Sequence, residues 1–209
     1  MRMMKKIALL CFLFVVVLFA NNASATLTSS YYDGTTYYDL LWEDGNLRGH
    51  IDFAVYDDRQ EYEFVTGFDA PGSYEYVYAY QIFNDDLFSE EAVAYFAVLG
   101  VEAGITSGIG CEDDLTGGIG PTPTDGYFDD VELKVVWEFK DVFIYKDGHS
   151  WFLVFSSTED WVPGEYEIEG PKGDDLPTPD VPEPTTLVLL GISSAWLLNK
   201  SRKRRKSVN

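Results

Sequence analysis

The chain has 209 residues, 46% hydrophobic and 16% aromatic, with a formal net charge of −20. Six basic against 35 acidic residues leave the stretch from Asp33 to Glu183 at −29. A surface that acidic repels phosphate backbones and excludes nucleic acid as a partner, while its Tyr, Phe, Trp, Val and Ile content excludes a disordered polyanion.

The opening segment, MRMMKKIALLCFLFVVVLFANNASA, carries Arg2, Lys5 and Lys6, then an apolar run from Ile7 to Ala20, then a polar step ending in Ala23-Ser24-Ala25. This is the three-part order of a secretory signal over residues 1–25, with small Ala23 and Ala25 where signal peptidase needs them and Thr26 as the first mature residue. The apolar run is too short to make a comfortable membrane span. Leu9 and Leu10 are bulky where a lipoprotein signal has small residues, so Cys11 belongs to the apolar run. Removing the signal leaves a single cysteine, Cys111, and one thiol makes no intramolecular bridge.

Residues 26–169 read as one acidic β domain. In IDFAVYD, Ile51, Phe53 and Val55 alternate with Asp52, Ala54 and Tyr56. SYEYVYAYQIFN places Tyr74, Tyr76, Tyr78, Tyr80 and Ile82 on one face. Further short runs rich in β-branched and aromatic residues are AVAYFAVLGV, VELKVVWEF, VFIYK, SWFLVFSS and GEYEIEG. Turn residues stand between them: Asp-Gly at 33–34, 44–45, 125–126 and 147–148, and Pro-Gly at 71–72 and 163–164. IYKDGHSWFLVF is the clearest hairpin. SEEAVAYF is the one stretch that competes as a helix, and it reads better as a turn followed by a strand. Residues 100–130 form a long Gly-rich insertion. About eight strands at this spacing predict an all-β fold, an antiparallel β-sandwich, flanked by an N-terminal signal helix and a C-terminal hydrophobic helix.

The chemistry legible in the domain is sparse. The two histidines, His50 on the polar phase of a strand and His149 beside a turn, accompany no nucleophile or metal motif. No catalytic residue and no cofactor is expected. With 35 carboxylates, paired acids for glycoside hydrolysis are inevitable and uninformative. Glu112-Asp113-Asp114 and Asp129-Asp130 offer hard oxygen ligands for calcium, without EF-hand spacing; unspaced acid runs usually only solvate. The tyrosine ladder reads either as a platform for sugar stacking or, more simply, as core packing.

GPKGDDLPTPD, residues 170–180, reads as a stiff hydrated spacer. Residues 181–209 follow: Val181-Pro182-Glu183-Pro184, an apolar segment from Thr185 to Leu198, and a basic cluster of Lys200, Arg202, Lys203, Arg204, Arg205 and Lys206. As a helix the apolar segment covers about 21 Å, short of a ~30 Å hydrocarbon core. The basic cluster stops transfer and stays cytoplasmic, with the acidic domain on the far side.

The proline-bracketed glutamate, the apolar stretch containing LVLLG and the terminal Arg/Lys cluster together resemble the PEP-CTERM sorting signal. The resemblance spans about 25 residues and includes the required N-terminal export signal. It implies a Gram-negative envelope protein held in the inner membrane by its tail. Exosortase, a membrane transpeptidase-like enzyme, would then process it and release it to the surface or the exopolysaccharide. The expected role is structural or adhesive and non-enzymatic; the alternative is a secreted carbohydrate-active enzyme or a calcium-dependent glycan-binding module.

Overall fold

The computed structural model describes residues 27–41, 46–84, 91–112 and 120–180. The signal residues, the cleavage positions Ala23, Ala25 and Thr26, and the whole tail from Val181 onward lie outside them, as do both predicted terminal helices. Among the described residues no helix is long and apolar enough to cross a membrane.

The described residues form eleven strands and one helix. In chain order these are β1 (Tyr32–Leu41), β2 (Asn46–Tyr56), α1 (Arg59–Thr66), β3 (Tyr76–Asn84), β4 (Tyr95–Leu99), β5 (Thr106–Glu112), β6 (Asp125–Asp129), β7 (Lys134–Glu138), β8 (Gly148–His149), β9 (Phe152–Ser157), β10 (Trp161–Ile168) and β11 (Lys172–Pro179). Two antiparallel sheets result. The first has the order β1-β2-β3-β9-β5, with β8 also on β3; the second has the order β11-β10-β4-β7-β6.

The period-two patterns explain what lies between the sheets. Ile51, Phe53 and Val55 share one core with Tyr78, Tyr80 and Ile82 of the first sheet and with Phe96, Val98, Val135 and Trp137 of the second. Tyr80 bridges the layers, its ring 6.0 Å from Phe96 and 6.3 Å from Trp137. Tyr78 and Tyr80 of the ladder are therefore core, with Tyr76 half-buried against it and Tyr74 ahead of β3, and their polar ends are satisfied inside: Tyr78 Oη donates to Glu159 O at 3.0 Å and Tyr80 Oη to Pro177 O at 2.7 Å. Burial of these rings, rather than sugar stacking, accounts for the alternation.

The other face of the first sheet is half covered. Ala54, Tyr56, Val77, Ala79 and Val154 form a second cluster with Tyr62 of α1 and with Leu27. The helix was not expected from the sequence. Asp58 caps it by accepting from Gln60 N at 2.8 Å, and Gly67, at φ 77°, ends it in the left-handed region. The Arg59 guanidinium then donates to Ala70 O and Gly72 O, fixing the return to β3.

Four local expectations give way to tertiary pairing. The supposed hairpin at 144–155 does not form: Ile144 bridges Val93, while β8 and β9 both pair with β3. Asp33-Gly34, Asp125-Gly126 and Pro163-Gly164, expected as turns, lie within β1, β6 and β10, with Gly34 opposite Phe53 and its missing Cβ only 2.8 Å from that ring. The Gly-rich insertion contributes β5 and β6, one edge strand of each sheet. Most consequentially, the spacer at 170–180 is β11, with Leu176, Pro177, Thr178 and Pro179 buried. Its prolines are tolerated because β11 is an edge strand with one partner, β10.

Both ends of the described domain meet at one pole. Tyr31 Oη donates to both Asp160 oxygens at 2.6 and 2.7 Å, which pushes its phenol up to about 12. Tyr32 stacks on Trp161 at 3.7 Å, and Asp180 N donates to Asp160 O at 2.7 Å. Val181, where the sorting-signal resemblance begins, therefore follows directly on the folded pole.

Candidate functional site: a polar-aromatic face on the first sheet

Beside the part of the first sheet's outer face that α1 covers lies one cross-strand row. Tyr37 of β1 pairs with His50 of β2, His50 with Phe83 of β3, and Phe83 with His149 of β8. Ring centroids along the row are 5.8, 4.3 and 5.4 Å apart. At a strand spacing of ~4.8 Å the row runs roughly 14 Å across the sheet. His50 and Phe83 are nearly parallel, at 8°, so these two rings cover each other's faces and stand edge-on to solvent. Tyr37 tilts away by 46° and is 78% exposed, which leaves its ring open at the sheet edge.

Polar side chains border the row. On one side Arg48 Nε donates to Asp39 Oδ1 at 2.8 Å. On the other, Thr35 Oγ1 donates to Asp52 Oδ1 at 2.6 Å, and His50 Nε2 lies 3.8 Å from the same oxygen. Asp52 pairs in turn with Gln81, which is 1% exposed. Gln81 Nε2 lies 3.2 Å from His149 Nδ1 and donates to Ser150 O at 3.0 Å, whereas its Oε1 is buried with no hydrogen-bond partner. A buried acceptor left unpaired costs free energy, and so marks a position where a donor would be stabilised.

The sequence placed His50 and His149 singly; the fold brings both histidines of the chain into one row with Phe83 between them. The polar phase of β2 was visible in the sequence as His50 and Asp52. The partners supplied by β1, β3 and β8 were not, because the register between strands determines them.

Among the described residues the calcium candidates Glu112, Asp129 and Asp130 do not converge. Glu112 ends β5, where burial and nearby Asp69 push its carboxyl up; Asp113 and Asp114 lie outside the described residues. Asp129 ends β6, and its Oδ1 accepts from Val131 N and Glu132 N, which holds its carboxyl below the usual range. Val101 N donates to Leu133 O beside that turn, at the opposite end of β5 from Glu112. Asp130 is exposed. Among the described residues no three His, Cys, Asp or Glu side chains are placed to hold a metal ion. An acidic recess of about 570 Å³ lies at the α1 N-terminus between Asp57, Asp58, Glu63 and Glu75. The adjacent Arg59 guanidinium is engaged with backbone carbonyls. Cys111 is half buried, and burial followed by Glu112 pushes its thiol up, away from a reactive thiolate.

No family model matches the chain, and no curated protein or solved structure is similar to it.

Proposed function

We propose that the chain is an exported component of a Gram-negative cell surface or polysaccharide matrix, structural or adhesive in role. On this reading it is sorted through its C-terminal tail and meets polysaccharide on the outer face of its first sheet. The Tyr37–His50–Phe83–His149 row carries the reading. At its sheet-edge end it sets the exposed Tyr37 ring beside the Asp39–Arg48 pair, which suits an extended polymer better than a small molecule. The position of the row agrees with a tethered protein. Tyr37 lies five residues along β1 from Tyr32 at the tail pole, roughly 17 Å at ~3.4 Å per residue. Signal peptidase and exosortase are the processing partners on this reading, and Glu183 acts in recognition.

The test is mass spectrometry of surface-located protein, expected to begin at Thr26 and to lack the peptide ending at Asn209. Glu183→Ala should leave membrane insertion intact and make full-length chain accumulate in the inner membrane. Tyr37→Ala should be processed normally but be shed from the matrix into the medium. Recovery of an intact C-terminus from the surface refutes sorting by cleavage, and normal retention of Tyr37→Ala refutes the role of the row.

A further inference from the structure

We infer that the pole from which the tail leaves is itself a lipid contact: the turn between β6 and β7 rests Val131 and Leu133 on a zwitterionic membrane surface. This rests on the reading of the tail as membrane-inserted, and adds where the folded domain sits before processing.

The turn presents apolar groups to solvent. Val131 is 91% exposed and Leu133 41%. Asp129 Oδ1 accepts from Val131 N at 3.0 Å and from Glu132 N at 3.1 Å, and Leu133 O accepts from Val101 N at 2.8 Å. Leu133 stands at φ 52°, a left-handed conformation that a bulky residue enters only at a cost. Two of the turn's carboxylates are engaged, Asp129 by those amides and Glu132 by Lys134 at 2.5 Å. Asp130 is exposed, and the −29 between Asp33 and Glu183 repels anionic lipid, so the surface that fits is zwitterionic.

The tail brings this turn to the membrane. β10 and β7 both run antiparallel to β4, so the residues before Trp161 and before Lys134 project from the same end of the second sheet, where Pro179 pairs with Trp161. From β11 to β7 is three strand spacings, roughly 14 Å. Tyr31, on the chain that arrives from the signal, meets Asp160 at this pole too. Thr185, where the apolar segment starts, is five residues beyond Asp180, at most about 17 Å of extended chain. The headgroup layer takes up about 5–8 Å of that reach. An apolar segment of about 21 Å in a ~30 Å hydrocarbon core draws its flanks inward, and the pole is drawn down with them.

The test is thiol protection. The full chain, with Cys11→Ala and Cys111→Ser, receives a single thiol as Val131→Cys or as Tyr145→Cys and is added to preformed phosphatidylcholine vesicles. Tyr145 is 64% exposed near the Val93–Ile144 bridge, at the opposite pole, and serves as control. Each thiol is reacted with a membrane-impermeant maleimide, and its rate is normalised to that of the urea-unfolded chain. The Val131→Cys rate is expected to be about tenfold below the Tyr145→Cys rate, on the scale of apolar side chains leaving water for the interface. Leu133→Asp should raise the Val131→Cys rate severalfold, since aspartate suits the left-handed backbone but not the interface. Replacing part of the phosphatidylcholine by phosphatidylglycerol should weaken the protection. Equal normalised rates at the two positions on vesicle-bound chain, or no effect of Leu133→Asp, overturn the contact and leave the inserted tail standing. Equal or stronger protection on the phosphatidylglycerol vesicles overturns the zwitterionic class. A chain that fails to float with the vesicles overturns both the contact and the membrane-inserted tail.

Discussion

Leu176→Ala decides whether residues 170–180 belong to the fold. Leu176 is fully buried on β11 and packs in the core between the sheets, and its neighbour Pro177 accepts the Tyr80 hydroxyl at 2.7 Å. Truncating a buried leucine costs about 2–5 kcal/mol through lost transfer free energy and residual cavity. β11 lies at a sheet edge, where the surroundings can partly collapse, so the lower half of that range, about 2–3 kcal/mol, is expected. With a urea m-value of about 2 kcal/mol per molar, the midpoint should fall by roughly 1–1.5 M. The assay is equilibrium urea unfolding followed by tryptophan fluorescence, since Trp137 sits in the same core. Asp174→Ala, exposed on the same strand, serves as control and should stay within about 0.5 kcal/mol of the parent. A hydrated spacer predicts that both substitutions are neutral. A Leu176→Ala midpoint indistinguishable from that of Asp174→Ala refutes the incorporation of β11.

Two further predictions follow from the same packing. Gly49→Ala should be severe, because a Cβ there would lie 1.9 Å from the Phe83 carbonyl oxygen, which is backbone and cannot step aside without parting β2 from β3. A loss of about 3 kcal/mol or more in the same unfolding assay is expected, and an unchanged midpoint refutes the close approach. Glu169→Gln tests a charge. Burial raises the Glu169 carboxyl above its usual 4.5, although the Ala94 and Tyr95 amides pull the other way. A carboxyl raised in the folded state binds protons more tightly there than when unfolded. Its contribution is thus fully present below the unfolded value and is lost as pH rises through the folded one. Between about pH 4 and pH 7 the Gln variant should therefore gain stability relative to the parent. Urea midpoints at the two pH values check this, and a relative gain by the parent contradicts it.

The sequence by itself determined the all-β class, because the period-two runs at Ile51–Val55 and Tyr76–Ile82 can bury a continuous apolar face only as strands. Core packing was one of its two readings of the tyrosine ladder, and it holds for Tyr78 and Tyr80. The helix escaped because it is only eight residues long, with Tyr62 and Thr66 as its buried positions, too short for a 3.6-residue period to stand out. Partnership was decided by the tertiary structure alone. Asp147-Gly148 is sound hairpin chemistry, yet β8 and β9 gain more by pairing with the buried β3 than Ile144 and its neighbours could offer. A Pro- and Asp-rich stretch reads as solvated wherever its surroundings are unknown. At 172–179 it pairs along one side of β10 and buries Leu176 against two sheets, which no local pattern could announce. The candidate face has the same origin: His50 and His149 lie 99 positions apart in the chain, and only the register of β2, β3 and β8 sets Phe83 between them. Local preference depends on neighbours along the chain, whereas edge, register and the sharing of a face depend on strands remote in sequence.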